Sequence, residues 1–485
     1  MSTRLIPALL LVAAIASPAA ARTLTVDQAV QLAVDHSLTI DAAEFGEQRA
    51  QAEATEALLM FFPKLSTTAS YTRLDPVPYV EFDTSEFLSG GDTGGGCDNI
   101  DPDSLPIGFT EETARDFCEM MMGWFAMDTG DTAEAQRIEM GRADNWAVGG
   151  SLEQIVFAGG ALHQSRAASM DMLRASTEQV RLARHQTAFD AEQGFYGLVA
   201  ARRATSMTRE SVELVEAYVT DLRNLSEVGM ASRADLMAAE VQLSQAKLDD
   251  LRMSHMARLA ETSFRVMLGL PRDEALDLEM DEAIPVDELP RERDALVALA
   301  LNRRPEVAAM NHTLDGMKHY SNAAWASWLP AVVVLGNLNA QNPDYSAQPE
   351  WMFTANMTAA LSWSIWDRGA ALQKNRAARA SMRQLEAQRD LLAEMLDVEI
   401  EATLSSFDEA VLELEVARGG LEAARESFRL EQERFHEGVA NNTQLLQSQT
   451  ELAGADMAVL QAETQMRISH AALRKAVGME PEVIR

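Results

Sequence analysis

Residues 396–428, LDVEIEATLSSFDEAVLELEVARGGLEAARESF, place apolar side chains at Leu396, Ile400, Leu404, Phe407, Val411, Leu414, Ala417, Leu421, Ala424 and Phe428. Steps of three and four throughout describe a helix with a coiled-coil seam. No proline occurs from Gly369 to Glu437, nor from Gly160 to Val228. About 69 residues at 1.5 Å each give a helix about 100 Å long, too long for a compact globule. Gly229 and Gly438 close the two helices, and returning helices of about 38 residues are predicted from Ser232 and Asn442. The sequence therefore describes a rod of antiparallel helical hairpins.

That the pattern occurs twice is a property of the whole chain. At a shift of 209, residues 150–270 align without gaps with 359–479; Leu152, Gly160, Gly229, Leu236, Leu243, Arg265 and Gly269 return as Leu361, Gly369, Gly438, Leu445, Leu452, Arg474 and Gly478. At a shift of 267, residues 29–63 align with 296–330, where Val30, Leu32, Ala33, Ala42, Ala57 and Pro63 return as Val297, Leu299, Ala300, Ala309, Ala324 and Pro330. The shifts differ by 58, so the first copy carries 58 extra residues between Pro63 and residue 150.

Within each copy the period of the apolar pattern changes in the same order. Residues 27–60 read as one Ala/Leu-faced helix ended by Pro63. From Lys64 to Arg73, Leu65, Thr67, Ala69 and Tyr71 alternate with Ser66, Thr68, Ser70 and Thr72, which is the period of a strand. A second strand runs through Trp146, Val148, Gly150 and Leu152 and stops at Ala158-Gly159-Gly160. The second copy repeats both, with Val332, Val334 and Leu338, then Trp351, Phe353, Ala355, Met357, Ala359, Leu361 and Trp363.

Four strands in one chain leave open edges that no bilayer tolerates, so a spanning sheet requires oligomerisation into a barrel of at least eight strands. Trp351 and Trp363 are twelve residues apart. At 45° tilt this separates them by about 28 Å along the membrane normal, near the height of an outer-membrane apolar band with its aromatic girdles. A soluble two-sheet cap is the alternative for these strands.

The predicted order is a signal peptide over 1–21, a first repeat over 22–270, an acidic linker over 271–293, a second repeat over 294–479 and a tail over 480–485. The signal reading rests on Arg4, the apolar run Leu5 to Ala16 and small residues through Ala21. The insert within the first repeat, residues 75–144, holds 17 acidic residues against Arg115, Arg137 and Arg142, and reads as a solvated extracellular loop. Cys97 and Cys118, the only cysteines, lie in it, and a secreted loop makes a disulfide between them the expectation. Asp98, Asp101 and Asp103 lack the spacing of a calcium loop, and Met120-Met121-Met122 is the one place that suggests a soft metal.

The remaining chemistry is negative. Apolar residues make up 47% of the chain and aromatics 6%, the mix of long helices. A formal net charge of −33 repels a phosphate backbone and argues against nucleic-acid binding. No HExxH, phosphate loop, GxSxG or CxxC occurs, so no enzyme, cofactor or metal site is expected.

The opening Leu24-Thr25-Val26-Asp27-Gln28-Ala29, the Phe62-Pro63 and Leu329-Pro330 helix ends, the Gly-rich strand-to-helix turns and the Gly229 and Gly438 hairpins together resemble the TolC-like outer-membrane efflux proteins. The resemblance covers residues 24–479. It implies a mostly α chain whose long hairpins form a periplasmic α-barrel, and a homotrimer whose strands close a twelve-stranded β-barrel in the outer membrane of a Gram-negative bacterium. It also implies docking of the hairpins at Gly229 and Gly438 to a periplasmic adaptor and inner-membrane transporter. The expected function is an export conduit, with a structural coiled-coil envelope protein as the alternative. In the family, aspartates after the second hairpin glycine ring the periplasmic entrance; here those positions hold Gln444 and Gln447, while Asp235 of the first copy matches. The closing network's tyrosine and basic residue are replaced by Phe435 and Ala440, neither of which makes the required bonds.

Overall fold

In a computed structural model of the protein, the described residues are 22–77, 79–82, 115–116, 136–139, 142–229, 231–271, 276–279, 289–326, 328–343, 349–437 and 442–479. The first repeat runs β1 (Arg22–Leu24), α1 (Val26–Asp35), α2 (Leu38–Leu59), β2 (Lys64–Arg73), β3 (Tyr79–Phe82), β4 (Gln136–Glu139), β5 (Asp144–Ala158), α3 (Ala161–Glu227) and α4 (Arg233–Met267). After β6 (Leu276–Leu278), the second repeat runs α5 (Arg293–Arg303), α6 (Pro305–Ala326), β7 (Ala331–Asn342), β8 (Met352–Ser362), α7 (Ala370–His436) and α8 (Asn442–Ala476). The long helices have 67 residues each, the returning helices 35 each, and α2 and α6 22 each. The expected signal peptide and the Cys97–Cys118 pair lie outside the described residues. Within the insert, β3 and β4 pair antiparallel.

The elements group into two compact units, one holding helices α1 to α8 with β1 and β6, the other strands β2 to β5, β7 and β8. Each sequence repeat contributes to both.

Two readings are corrected. The helix expected over 27–60 is two helices, broken at His36 and Ser37. Thr25 opens α1 with a capping box, its hydroxyl accepting from the Gln28 N–H while Gln28 accepts from the Thr25 N–H. Ser37 restarts the chain as α2, its hydroxyl accepting the Ile40 N–H at 3.4 Å. The second repeat breaks at the equivalent place by other means: Pro305 lacks an N–H and forces Arg304 into an extended conformation at φ −68°, ψ 127°. The second correction concerns the 271–293 linker, which contains β6. There Leu276 and Leu278 alternate with Asp277, and the strand pairs parallel with β1. Leu276 joins Leu24, Val30, Phe195, Phe264 and Leu268 in the first repeat's core.

The second repeat builds the matching core from Leu296, Ala300, Ile400, Leu473, Ala476 and Val477. Ala33, Ala191, Phe264 and Leu268 map onto Ala300, Ile400, Leu473 and Val477 by the two sequence shifts. The turns that end α4 and α8 match as well. Gly269 (φ +66°) and Gly478 (φ +73°) take left-handed conformations, and a Cβ would come within 2.9 Å of His36 at the first and 3.0 Å of the Arg303–Arg304 backbone at the second. Both glycines therefore serve conformation and close approach at once.

Arg304 ties the second repeat together. Its guanidinium, with the side chain 8% exposed, lies 2.7 Å from Glu306 and 2.7 Å from Glu399 of α7, and donates to the Ala476 carbonyl at the end of α8 at 3.4 Å. Burial works against the Glu306 carboxylate, yet hydrogen bonding to Arg304 holds it below the ordinary glutamate range.

Candidate functional site

The strand unit has a sheet in the order β2-β5-β7-β8, antiparallel throughout, with β2 and β8 at its edges. Its register sorts the side chains onto two faces, because directly opposed residues point the same way. One face carries Leu65, Ala69 and Tyr71 of β2, Trp146, Val148 and Leu152 of β5, Val332, Val334 and Leu338 of β7, and Phe353, Met357 and Leu361 of β8. The other is polar over much of its length, with Lys64 opposite Glu153, Ser66 hydrogen-bonded to Ser151 at 2.6 Å and Asn337 opposite Asn356, and carries Ile155, Val333 and Leu335 at one end. The apolar face is exposed, Phe353 at 79% and Met357 at 80%. Trp351 and Trp363 flank β8 at its two ends, both about half exposed. Exposed apolar side chains on one side and polar ones on the other are the signature of a sheet between lipid and water. Among the described residues no helix is long and apolar enough to cross a membrane.

In the helical unit the first hairpin turns at Gly229, whose φ of +77° is left-handed. Ser232 then caps α4, its hydroxyl accepting the N–H groups of Ala234 at 3.1 Å and Asp235 at 3.3 Å. Asp235 thus sits in the first turn of α4, where the helix dipole favours a carboxylate. The second hairpin turn, with Gly438 and Ala440, lies outside the described residues. Phe435 is in the last turn of α7 and half-buried, and Gln444 is exposed in the first turn of α8.

A cleft of about 210 Å³ between α4 and α8 is lined by Asp235, Ala238 and Gln242 from one helix and Thr443, Leu446, Gln447 and Thr450 from the other. The Gln242 amide donates to the Thr450 hydroxyl across it at 3.1 Å, and Gln447 donates to Glu451 of its own helix at 3.1 Å. Asp235 and Gln447 therefore share one cleft, and Gln444 is not among its lining residues. One participant escaped the sequence reading. Tyr218 of α3 is pushed up to about 12 by burial and by the charge of Asp235, and its hydroxyl is buried with no hydrogen-bond partner among the described residues. A tyrosine thus approaches the tip aspartate from the first hairpin rather than from position 435. The signal was its place in the seam Val215, Tyr218, Val219 and Leu222, where one polar atom interrupts an apolar stripe.

Residues 296–479 match the family model described as outer membrane efflux protein. A probable efflux pump outer membrane protein of Pseudomonas putida, TtgC, is 24% identical over 298 residues, 59% of this chain and 58% of the relative's length. Among solved structures, the Campylobacter jejuni CmeC outer membrane channel superposes with a TM-score of 0.72 at 15% identity, covering 93% of this chain and 85% of that one. The Vibrio cholerae outer membrane protein VceC gives 0.69 at 14%, covering 94% and 96%. The second repeat thus matches the outer membrane efflux protein model in sequence, and nearly the whole length of the chain has the fold of these outer-membrane channels.

Proposed function

We propose that three copies of this chain form an outer-membrane export channel, taking substrates from a periplasmic adaptor and an inner-membrane transporter to the exterior. The observation that carries the reading is the two-faced antiparallel sheet with both edges open. Four alternating strands leave β8 running opposite to β2, so β8 of one copy can pair antiparallel with β2 of the next and the direction still alternates around a closed ring. Closure removes every edge, places the apolar face toward lipid and leaves the polar face around water.

The helices support the same assembly. Val241, Leu248, Leu251, Leu259 and Val266 on α4, and Leu391, Met395, Val398, Leu412 and Val416 on α7, are exposed at coiled-coil spacing. Apolar stripes of that length on helices this long call for neighbouring helices, which copies of the same chain supply. Heat-modifiable trimers in outer-membrane fractions are the expected result. Recovery of a soluble monomer without detergent would contradict the reading.

At the hairpin tips, Asp235 and Gln447 form a polar constriction carrying fewer carboxylates than a ring with aspartates on both hairpins. Field focusing scales with the charges that face the lumen, so block by a multivalent cation should be weak. Gln444→Asp with Gln447→Asp should lower the blocking concentration of a trivalent cation about tenfold, by the attraction of added charges in a narrow ring. Equal block of wild type and double variant in a conductance titration would place the gate elsewhere. Asp235→Ala then reports whether the first hairpin alone sets it.

A further inference from the structure

A second cleft, of about 310 Å³, lies within the helical unit where the start of α3 meets α6, away from the hairpin tips. His163, Arg166, Asp171 and Arg174 of α3 and His319 of α6 line it. The helices meet closely here, since a Cβ at Gly316 of α6 would lie 2.9 Å from Met172 and 3.3 Å from the Ala168 carbonyl.

Asp171 organises the cleft without being its binding group. Its side chain is 7% exposed, and it takes Arg174 at 2.7 Å and faces His319 Nε2 at 3.6 Å. The other nitrogen of that ring lies 2.8 Å from Gln164 Oε1, which fixes its orientation. With one carboxylate engaged by one guanidinium, Arg166 remains, and it has no hydrogen bond or ion pair among the described residues. Two guanidiniums against one carboxylate leave the lining net positive even with both imidazoles neutral, on a chain whose formal charge is −33. Among the described residues no three His, Cys, Asp or Glu side chains converge as a metal ion would require. An anion is the ligand this chemistry selects, and forked guanidiniums suit a phosphate.

The position chooses the source. Arg166 follows Ala158, the last residue of β5, by eight positions, so the chain itself ties it to a strand that the channel reading puts in the bilayer. Only Gly159 and Gly160 separate α3 from the end of β5. We infer that this cleft binds the phosphodiester headgroup of an anionic phospholipid from the periplasmic leaflet, with Arg166 and His163 as the contacting groups and Asp171 positioning Arg174 and His319. The choice of a lipid rests on the channel reading; the affinity for a phosphate rests on the cleft alone.

The test titrates phosphatidylglycerol into the full chain in detergent and counts bound lipid by native mass spectrometry. Arg166→Glu should weaken retention about tenfold, the worth of one charge-assisted contact. Arg166 is exposed and unpaired, so its replacement should not disturb folding. Arg209→Glu, an exposed site further along α3, should bind as wild type does. Equal retention by wild type and Arg166→Glu overturns the site, as does an equal loss in Arg209→Glu. Displacement of the lipid by inorganic phosphate at matched concentration assigns a free anion instead and overturns the headgroup. Fractionation of the same preparations keeps the two claims apart: protein absent from the outer membrane refutes the channel, whereas protein present there with unselective lipid retention refutes only this cleft.

Discussion

Arginine in place of Met357 should keep the chain out of the outer membrane, while arginine in place of the adjacent Asn356 should leave trimers assembled. The two residues are neighbours in the middle of β8 and point to opposite faces. Met357 lies opposite Gly336 on the apolar face; Asn356 lies opposite Asn337 on the polar one. A cation at the lipid-facing midplane of a barrel costs about 2 to 4 kcal/mol, and a trimer bears that cost three times. The same cation facing water costs little. Trimer yield in outer-membrane fractions measures the difference. Reversal of the pattern would mean that the faces are exchanged, and equal tolerance would mean that the sheet does not meet lipid.

Arg304→Met should destabilise the helical unit by about 3 kcal/mol, the lower end of the range for removing one partner from a buried ion pair. Its partners set that choice: Glu306 and Glu399 are partly exposed, so each recovers some hydration when the guanidinium is lost. Arg304→Lys keeps the charge but loses the fork, and should fall between wild type and Met. The pH dependence has a definite sign. Because the folded Glu306 carboxylate titrates below its unfolded counterpart, its contribution is complete above the unfolded glutamate pKa of about 4.3 and is lost as pH falls through the lower folded value. Arg304→Met should therefore flatten the acid limb of stability. Thermal melts followed by circular dichroism, at neutral pH and near pH 4, check both statements; a Met variant melting with the wild type at neutral pH would remove Arg304 from the account.

Much of this architecture is legible in the sequence. The span Lys64–Arg73 is β2 residue for residue, and the proline-free stretches from Gly160 and Gly369 are α3 and α7 to within a residue or two. Local periodicity fixed these because each element is long and its period does not waver. The failures were short. The break at His36 and Ser37 is a single turn within an otherwise continuous Ala-rich pattern, and β6 is three residues in an acidic segment, stable only because β1 and the Phe264 core receive it. Neither has a local signal stronger than its surroundings. The tip was legible as residue types and not as contacts. Asp235 and Gln447 lie 212 positions apart in sequence, and only the approach of α4 to α8, bridged by Gln242 and Thr450, brings them to one cleft. Tyr218 looked like one more seam residue, because spacing does not reveal that a hydroxyl is buried without a partner.

Conductance of the purified trimer in a planar lipid bilayer tests the central claim most directly. Three sheets closed edge to edge around a polar interior should give discrete, uniform current steps, and Asp235→Ala should change the step or its opening frequency without changing the amount inserted. A folded trimer that inserts into the bilayer and passes no current, in wild type and tip variant alike, would contradict the channel.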